Sequence, residues 1–152
     1  MRKNIMTSRI LETVSIDDRV KEYYWKYDLN CTTTNLKILS ELFSISLSEQ
    51  IISAAIGMHG AGKYGAQCGL VEGTLMFLGI IGKEYSLKEE TIIDQCREYA
   101  KQFENKFQSL SCSRLRPEGF KKENPPHLCE KLTCSVIEFN KDFVSQFIRE
   151  NK

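Results

Sequence analysis

The 152-residue sequence has little proline, almost no net charge and no long apolar run. Its 3 prolines all lie within residues 117–126, so proline interrupts no other part of the chain. A net charge of +1 gives no reason to expect a nucleic acid as partner, and the basic segment 114–131 reads as a solvated loop. The most apolar stretch, 70–81, contains Glu72 and is too short to span a bilayer. We therefore expect neither a nucleic-acid nor a membrane partner.

Signals for export and for familiar cysteine sites are also missing. Residues 1–8 lack an apolar run of signal-peptide length, which favours the cytoplasm. The 6 cysteines contain no Cys-x-x-Cys pair, so neither a zinc ribbon nor a thioredoxin-like site is indicated. Disulfides are uncommon in the cytoplasm, and these cysteines therefore favour metal or redox chemistry over disulfide cross-links.

Helical periodicity dominates what is present. No alternating run rich in β-branched residues predicts a strand. The expected fold is all-α: a compact bundle of about six helices, formed by a single domain over residues 1–152. Apolar stripes predict six helices, over 8–27, 31–44, 47–57, 66–81, 87–110 and 127–149. The stripe of the first helix includes Tyr24. Capping boxes at Ser46 and Ser86 predict the starts of the third and fifth helices.

Eight of the nine glycines lie within residues 57–82. The glycines of 57–65 predict a flexible or left-handed loop before the fourth helix. Gly65, Gly69 and Gly73 recur at every fourth residue and would let another backbone approach closely. This face, next to Cys68, leaves room for a cofactor or a second chain to approach.

Four cysteines far apart in sequence fall at turns or predicted helix starts: Cys31, Cys68, Cys112 and Cys129. A thiol at a helix N-terminus feels the positive end of the backbone dipole, which favours the thiolate, the form that reacts and binds metals. Cys31 and Cys129 begin apolar stripes and should face the interior, and Cys112 lies in the loop before the last helix. We predict that the four sulfurs lie together in one small cavity.

Other candidate ligands have simpler interpretations. Cys96 lies within an apolar stripe, where a free cysteine packs as a small hydrophobic residue. Cys134 lies on a different helix face from Cys129, so packing is favoured, with a spare ligand or resolving thiol as the alternative. His59 and His127 have the chemistry to bind a metal, but exposed loop histidines are the simpler interpretation.

Four segments resemble the motifs of the redox-active protein family named for its C, GCAxxG, C and C elements. These segments are Tyr27–Cys31, Gly57–Gly73, Phe107–Cys112 and His127–Leu132. The resemblance covers roughly residues 18–145. The chain departs from the central motif at Leu70, which replaces alanine, and at Glu72, which adds a charge.

The resemblance implies a ligand or redox set of Cys31, Cys68, Cys112 and Cys129, with Gly69 and Gly73 beside it. It leaves Cys96 and Cys134 without counterparts. A related domain of a multihaem cytochrome is associated with an iron-containing centre. Since this chain has no Cys-x-x-Cys-His sequence, it resembles only the non-haem part.

We therefore expect an iron–sulfur cluster that transfers electrons or senses redox state, working with a redox protein partner. Zinc is an alternative occupant. A metal-free thiol–disulfide protein is another alternative, and it requires two close thiols with at least one depressed pKa. A third is a non-redox interaction module that forms a homodimer through the glycine face. The sequence suggests no acid–base substrate pocket, which favours a redox carrier over a stand-alone enzyme.

Overall fold

The computed structural model describes residues 15–151, and the part of the first predicted helix over 8–14 lies outside this range. Within it the chain is helical, without a strand, and the all-α prediction is confirmed. None of the helices in this range combines the length and hydrophobicity needed to cross a bilayer. The helices are α1 (Ile16–Lys21), α2 (Cys31–Phe43), α3 (Glu49–Ala54), α4 (Gly60–Lys63), α5 (Gly69–Glu84), α6 (Glu89–Phe107), α7 (Cys112–Leu115) and α8 (Glu130–Asn151). A π-helical turn, Glu22–Lys26, continues α1.

The expected count of about six helices was too low, because residues 15–151 contain eight α-helices. The two extra helices, α4 and α7, have four residues each and lie in segments predicted to be irregular. Cys112 therefore begins a helix instead of lying in a loop. A single helical turn carries no apolar stripe, so periodicity cannot reveal it.

Both predicted capping boxes are wrong. The side chain of Ser48, rather than that of Ser46, caps α3 by accepting a hydrogen bond from the Ile51 N–H. Lys88 precedes α6 and makes no side-chain cap. Ser86 instead adopts φ +56° in the turn between α5 and α6. The predicted starts of α3 and α6 lie within a few residues of the observed ones, but different residues precede these helices.

The bundle is built from α2, α5, α6 and α8, with α5 packed on α2 and α6 and with α8 packed on α1 and α2. Burying a large apolar side chain contributes roughly 1.5–3 kcal/mol, which makes these faces the main source of stability. The largest fully buried apolar and aromatic side chains include Leu36, Leu39, Phe77, Leu78, Ile81, Tyr99, Phe103 and Phe147.

The glycine face of α5 is packed on α2 of the same chain. A Cβ atom on Gly69 would lie 2.3 Å from Thr32 Oγ1, and one on Gly73 would lie 3.1 Å from Asn35 Nδ2. Gly65 precedes α5 and does not extend the stripe. A second chain would therefore need a different surface, since α2 already covers this one.

A buried polar network joins the four long helices. Asn35 Nδ2 donates to Thr74 Oγ1 (2.9 Å), Asn140 Nδ2 donates to Asn35 Oδ1 (3.0 Å), and Tyr99 Oη donates to Asn140 Oδ1 (2.5 Å). The Leu70 carbonyl accepts from Asn35 Nδ2 (3.0 Å) and Thr74 Oγ1 (2.8 Å). Because Leu70 lies in the first turn of α5, the network fixes that helix end relative to the other helices.

Candidate functional site

Four helix starts bring four cysteines together. Asn30 caps α2 through its side chain, which makes Cys31 the first helical residue. Cys68 is the N-cap of α5, Cys112 is the first residue of α7, and Cys129 directly precedes α8. The backbone N–H groups at a helix start carry a partial positive charge, so each thiol lies at a position that attracts negative charge.

All four of these cysteines border one cavity of about 420 Å³. They are free thiols, as are Cys96 and Cys134. The last two do not border this cavity; Cys134 borders a second, more open one together with Asp17. The structure therefore separates the cysteines into the same two groups as the sequence motifs do.

Backbone pairing holds the Cys68 and Cys112 segments side by side. The Cys68 N–H donates to the Leu110 carbonyl (2.8 Å), and the Cys112 N–H donates to the Ala66 carbonyl (2.7 Å). These bonds flank an isolated antiparallel bridge between residues 67 and 111. Two cysteines from distant parts of the sequence thus reach the same wall of the cavity.

The short element α4, Gly60–Lys63, lies against Cys112, and its backbone is left-handed instead of regular α-helical. All four residues have positive φ, including Ala61 (+54°) and Lys63 (+70°). Left-handed backbone costs roughly 1–2 kcal/mol for each residue with a side chain. A Cβ on Gly60 would lie only 3.0 Å from Cys112 Sγ, so a side chain there would add backbone strain and press on that sulfur. Strained backbone of this kind tends to occur at functional sites.

Burial raises the pKa of every cavity thiol. The pKa of Cys31 rises to about 12, mainly from burial and then from the neighbouring Cys68. Burial raises the pKa of Cys68 to about 11, although the Leu70 and Val71 N–H groups act in the opposite direction. Burial also raises the pKa values of the other two thiols, Cys112 and Cys129. At Cys68 the N–H groups of the helix start lower the pKa as expected, but desolvation is the larger effect for all four thiols.

One guanidinium group counteracts part of this effect. Arg116 lowers the pKa of both Cys112 and Cys129, without cancelling the effect of burial. Its Nε donates to the Gly119 carbonyl (2.8 Å), and its Cζ lies 4.1 Å from the centre of the Phe120 ring. These contacts fix a positive charge beside two of the four sulfurs.

Both histidines border the cavity, but only one is fully engaged by other side chains. The Nε2 atom of His127 pairs with Asp28 Oδ1 (2.9 Å), and its ring stacks on Tyr24 with centroids 4.5 Å apart. Nδ1 of His59 is buried and has no hydrogen-bond partner among residues 15–151. Both histidines lie in turns, as predicted, but they are half-buried and not exposed.

Sequence reasoning missed Tyr24 and Arg116 as cavity residues. Tyr24 fitted an apolar helix stripe, and it is only 2% exposed, yet its hydroxyl shares a hydrogen bond with Thr133 Oγ1 (2.6 Å). Arg116 fell in a basic segment that resembled a solvated loop. Neither residue carries a local signal, because the cavity exists only after the segments around it pack.

The four thiols are not arranged around a single point. Within residues 15–151, no three His, Cys, Asp or Glu side chains are grouped closely enough to hold one metal ion. Thiolates around one zinc ion all lie about 2.3 Å from it, so their sulfurs must be almost in contact. As they stand, the side chains of residues 15–151 therefore form no such site.

Comparison with known proteins agrees with the motif pattern. Residues 29–143, more than half of the chain, match the family described as "Putative redox-active protein (C_GCAxxG_C_C)". The matched range contains all four cavity cysteines. No curated protein and no solved structure matches the chain.

Proposed function

We propose, on the premise that the chain belongs to the C_GCAxxG_C_C family of redox-active proteins, that its cavity cysteines bind an iron–sulfur cluster. The cluster would carry electrons to or from a redox protein partner. The observation that carries the proposal is the convergence of Cys31, Cys68, Cys112 and Cys129 on one cavity of about 420 Å³. Four cysteine thiolates are the usual ligands of such clusters, which supply one-electron chemistry.

A cluster and a single zinc ion make different demands on the four cysteines. A cluster distributes its thiolates over several iron atoms, so the ligands lie further apart than they do around one ion. Zinc would need all four sulfurs at about 2.3 Å from one point.

The surroundings suit a negatively charged group. The start of α2 and the start of α5 meet at the cavity, and the Leu70 and Val71 N–H groups favour negative charge on Cys68. Arg116 adds a full positive charge beside Cys112 and Cys129. The Thr32 hydroxyl is buried next to Cys31, and its hydrogen bond lowers the pKa of that thiol.

The raised thiol pKa values argue against a metal-free disulfide exchanger. Such a protein needs at least one thiolate at neutral pH, because the thiolate is the attacking species. Burial holds the pKa of Cys31 at about 12 and that of Cys68 at about 11, so both are protonated there. A bound metal supplies the charge that removes these protons, as it does in other thiolate sites.

The test is anaerobic preparation followed by visible absorption spectroscopy and by iron and sulfide analysis. We expect a coloured protein with iron and sulfide in fixed proportion to the chain. Substituting serine for each cavity cysteine should lower the iron content and change the spectrum. The matched control is Cys96→Ser, because Cys96 is a free, half-buried thiol that does not border the cavity.

Two results would contradict the proposal. A colourless, iron-free product that also fails to take up iron and sulfide in vitro would exclude a cluster. Loss of iron from Cys96→Ser as large as from the cavity variants would show that the metal is bound non-specifically. Thiol titration under oxidising and reducing conditions would then test whether pairs of cavity cysteines form disulfides.

A further inference from the structure

Exposed apolar side chains lie where the cysteine cavity opens to solvent. Ile56 lines the cavity and is 65% exposed, and the lining residue Lys63 is exposed as well. Tyr64, which follows Lys63, is 89% exposed. Trp25 is 57% exposed and lies beside the lining residue His127. The mouth surface of the cavity is formed by Trp25, Ile56, Lys63 and Tyr64.

Two contacts hold Trp25 at this opening. Its ring meets His127 edge-on, with the centroids 5.2 Å apart, and its Nε1 donates to Glu130 Oε1 (2.7 Å). The preceding residue, Tyr24, is buried and stacks on the same imidazole. Both aromatic residues belong to the π-helical turn Glu22–Lys26, a form of helix that is frequent at functional sites. Because these contacts already order the Trp25 side chain, little entropy is lost when a partner covers it.

An exposed group of this kind is typical of an interaction surface. Tryptophan and tyrosine supply much of the binding energy in protein interfaces, and exposed apolar patches mark such surfaces. Tyr85 and Ile93 are also exposed, but they lie elsewhere. The first turn of α5 borders the cavity, and the 16 residues of this helix span about 24 Å before Tyr85. These two residues therefore provide controls that are remote from the mouth surface.

The charges at the opening favour an acidic partner. The carboxylate and cationic side chains that line the cavity are Asp28, Lys63 and Arg116. Neither cation forms an ion pair within residues 15–151, whereas Asp28 pairs with His127. Basic residues also outnumber acidic ones in the neighbouring segment 114–131. Since complementary charge speeds association and selects among partners, an acidic protein surface fits this opening.

We propose that an acidic electron-transfer protein docks on the mouth surface and exchanges single electrons with the centre behind it. The partner carries a one-electron centre of its own. One electron leaves the reduced centre and enters the oxidised one, and no covalent bond forms or breaks. Complexes of this kind are transient and bury less than about 1,200 Å². The electron step rests on the proposed function, whereas docking is measured separately, so that either can fail alone.

The first experiment measures docking by isothermal titration calorimetry, on protein prepared without oxygen and with whatever metal it then holds. The probes are a purified acidic flavodoxin and, as the control, a basic cytochrome c. We expect the flavodoxin to bind more tightly than the cytochrome at low salt, and its binding to weaken as salt screens the charges. Equal or tighter binding of the cytochrome, or no binding of the flavodoxin, overturns the proposal.

Substitutions locate the contact. Trp25→Ala and Tyr64→Ala should each weaken flavodoxin binding about tenfold, the size expected at interface hot spots. Ile93→Ala is the matched control, because Ile93 is 56% exposed, close to the 57% of Trp25. Lys63→Glu should also weaken binding, and its control is Lys88→Glu, at an exposed position just before α6. Control variants that weaken binding as much as the mouth variants overturn the mouth surface as the docking site.

The second experiment measures electron transfer from reduced flavodoxin to the oxidised protein by stopped-flow absorption. The rate should fall with salt and in the mouth variants, while the iron content and the visible spectrum stay at their wild-type values. A cluster-containing protein whose reduction rate does not respond to the mouth variants overturns the docking site and leaves the cluster proposal standing. Flavodoxin binding at the mouth surface of a protein that takes up no cluster supports the docking site and contradicts the proposed function.

Discussion

Individual thiols in this cavity are governed by two opposing effects. Burial favours the protonated form and raises the pKa of each cavity cysteine, whereas backbone N–H groups and Arg116 favour the thiolate. Because burial is the larger effect, the thiols stay protonated until a cation replaces the protons. A site of buried, protonated thiols therefore favours the binding of cations, which replace the thiol protons.

The contact at Gly69 is the tightest among the glycines of the chain. Substituting Gly69→Ala would place a Cβ 2.3 Å from Thr32 Oγ1 and 2.7 Å from Cys31 Sγ. Overpacking of this kind costs about 1–3 kcal/mol. We expect a lower urea midpoint and a lower iron content, since Cys31 must move.

Gly79→Ala is the matched control, because it lies in the same helix with nothing within 4 Å of its Cβ position. There the substitution should raise stability by roughly 0.5–1 kcal/mol, through the higher helix propensity of alanine. Equal destabilisation by the two variants would show that the contact with α2 is not the cause.

At the scale of elements, the polar network decides how α2, α5, α6 and α8 are positioned. Its four side chains are fully buried, and each contributes a donor or acceptor to the others. The network reaches the first turn of α5 through the Leu70 carbonyl. The helix that presents Cys68 is therefore anchored by hydrogen bonds that begin on α8.

Tyr99→Phe tests this anchoring. It removes the donor to Asn140 Oδ1 and leaves that buried oxygen without a partner within residues 15–151. The expected cost is about 1–3 kcal/mol, measured as a shift in the urea unfolding curve. Tyr85→Phe is the control, because Tyr85 is 41% exposed and lies at the far end of α5. Similar shifts for both variants would contradict a special role for the network.

Sequence patterns predicted the elements better than they predicted the site. Asn30 and the apolar stripe after it predicted the start of α2 and so the place of Cys31. The helix start at Cys112 was not predicted. The backbone bridge between residues 67 and 111 positions α7, and this short helix has no local periodicity. Arg116 and the buried nitrogen of His59 gained their importance only from packing. Long-range pairing has no local signature in a single sequence.

At the scale of the whole molecule, the raised thiol pKa values make folding depend on pH. Cys31 has a pKa of about 12 when folded, against 9.0 as the ordinary value for an unpaired thiol. The folded chain therefore binds more protons than the unfolded chain between these values. This stabilising contribution is fully present below pH 9.0 and is lost as the pH rises through about 12.

Urea unfolding of the metal-free protein measures this contribution. The free energy of unfolding should fall more steeply with pH in the wild type than in Cys31→Ser, because serine does not ionise in this range. The difference between the two proteins should shrink as the pH rises above 9.0. If the difference in unfolding free energy between the two proteins stays constant with pH, burial does not raise the pKa of Cys31.

The distribution of the four cysteines along the chain has a consequence for protein turnover. A cofactor held by Cys31, Cys68, Cys112 and Cys129 would tie together four segments as a single cross-link spanning most of the sequence. Its loss to oxygen would release all four segments at once, and with them the restraint on α2, α5, α7 and α8. The damaged molecules would lose the stability that the cross-link adds, so they would unfold more often and proteases would remove them faster.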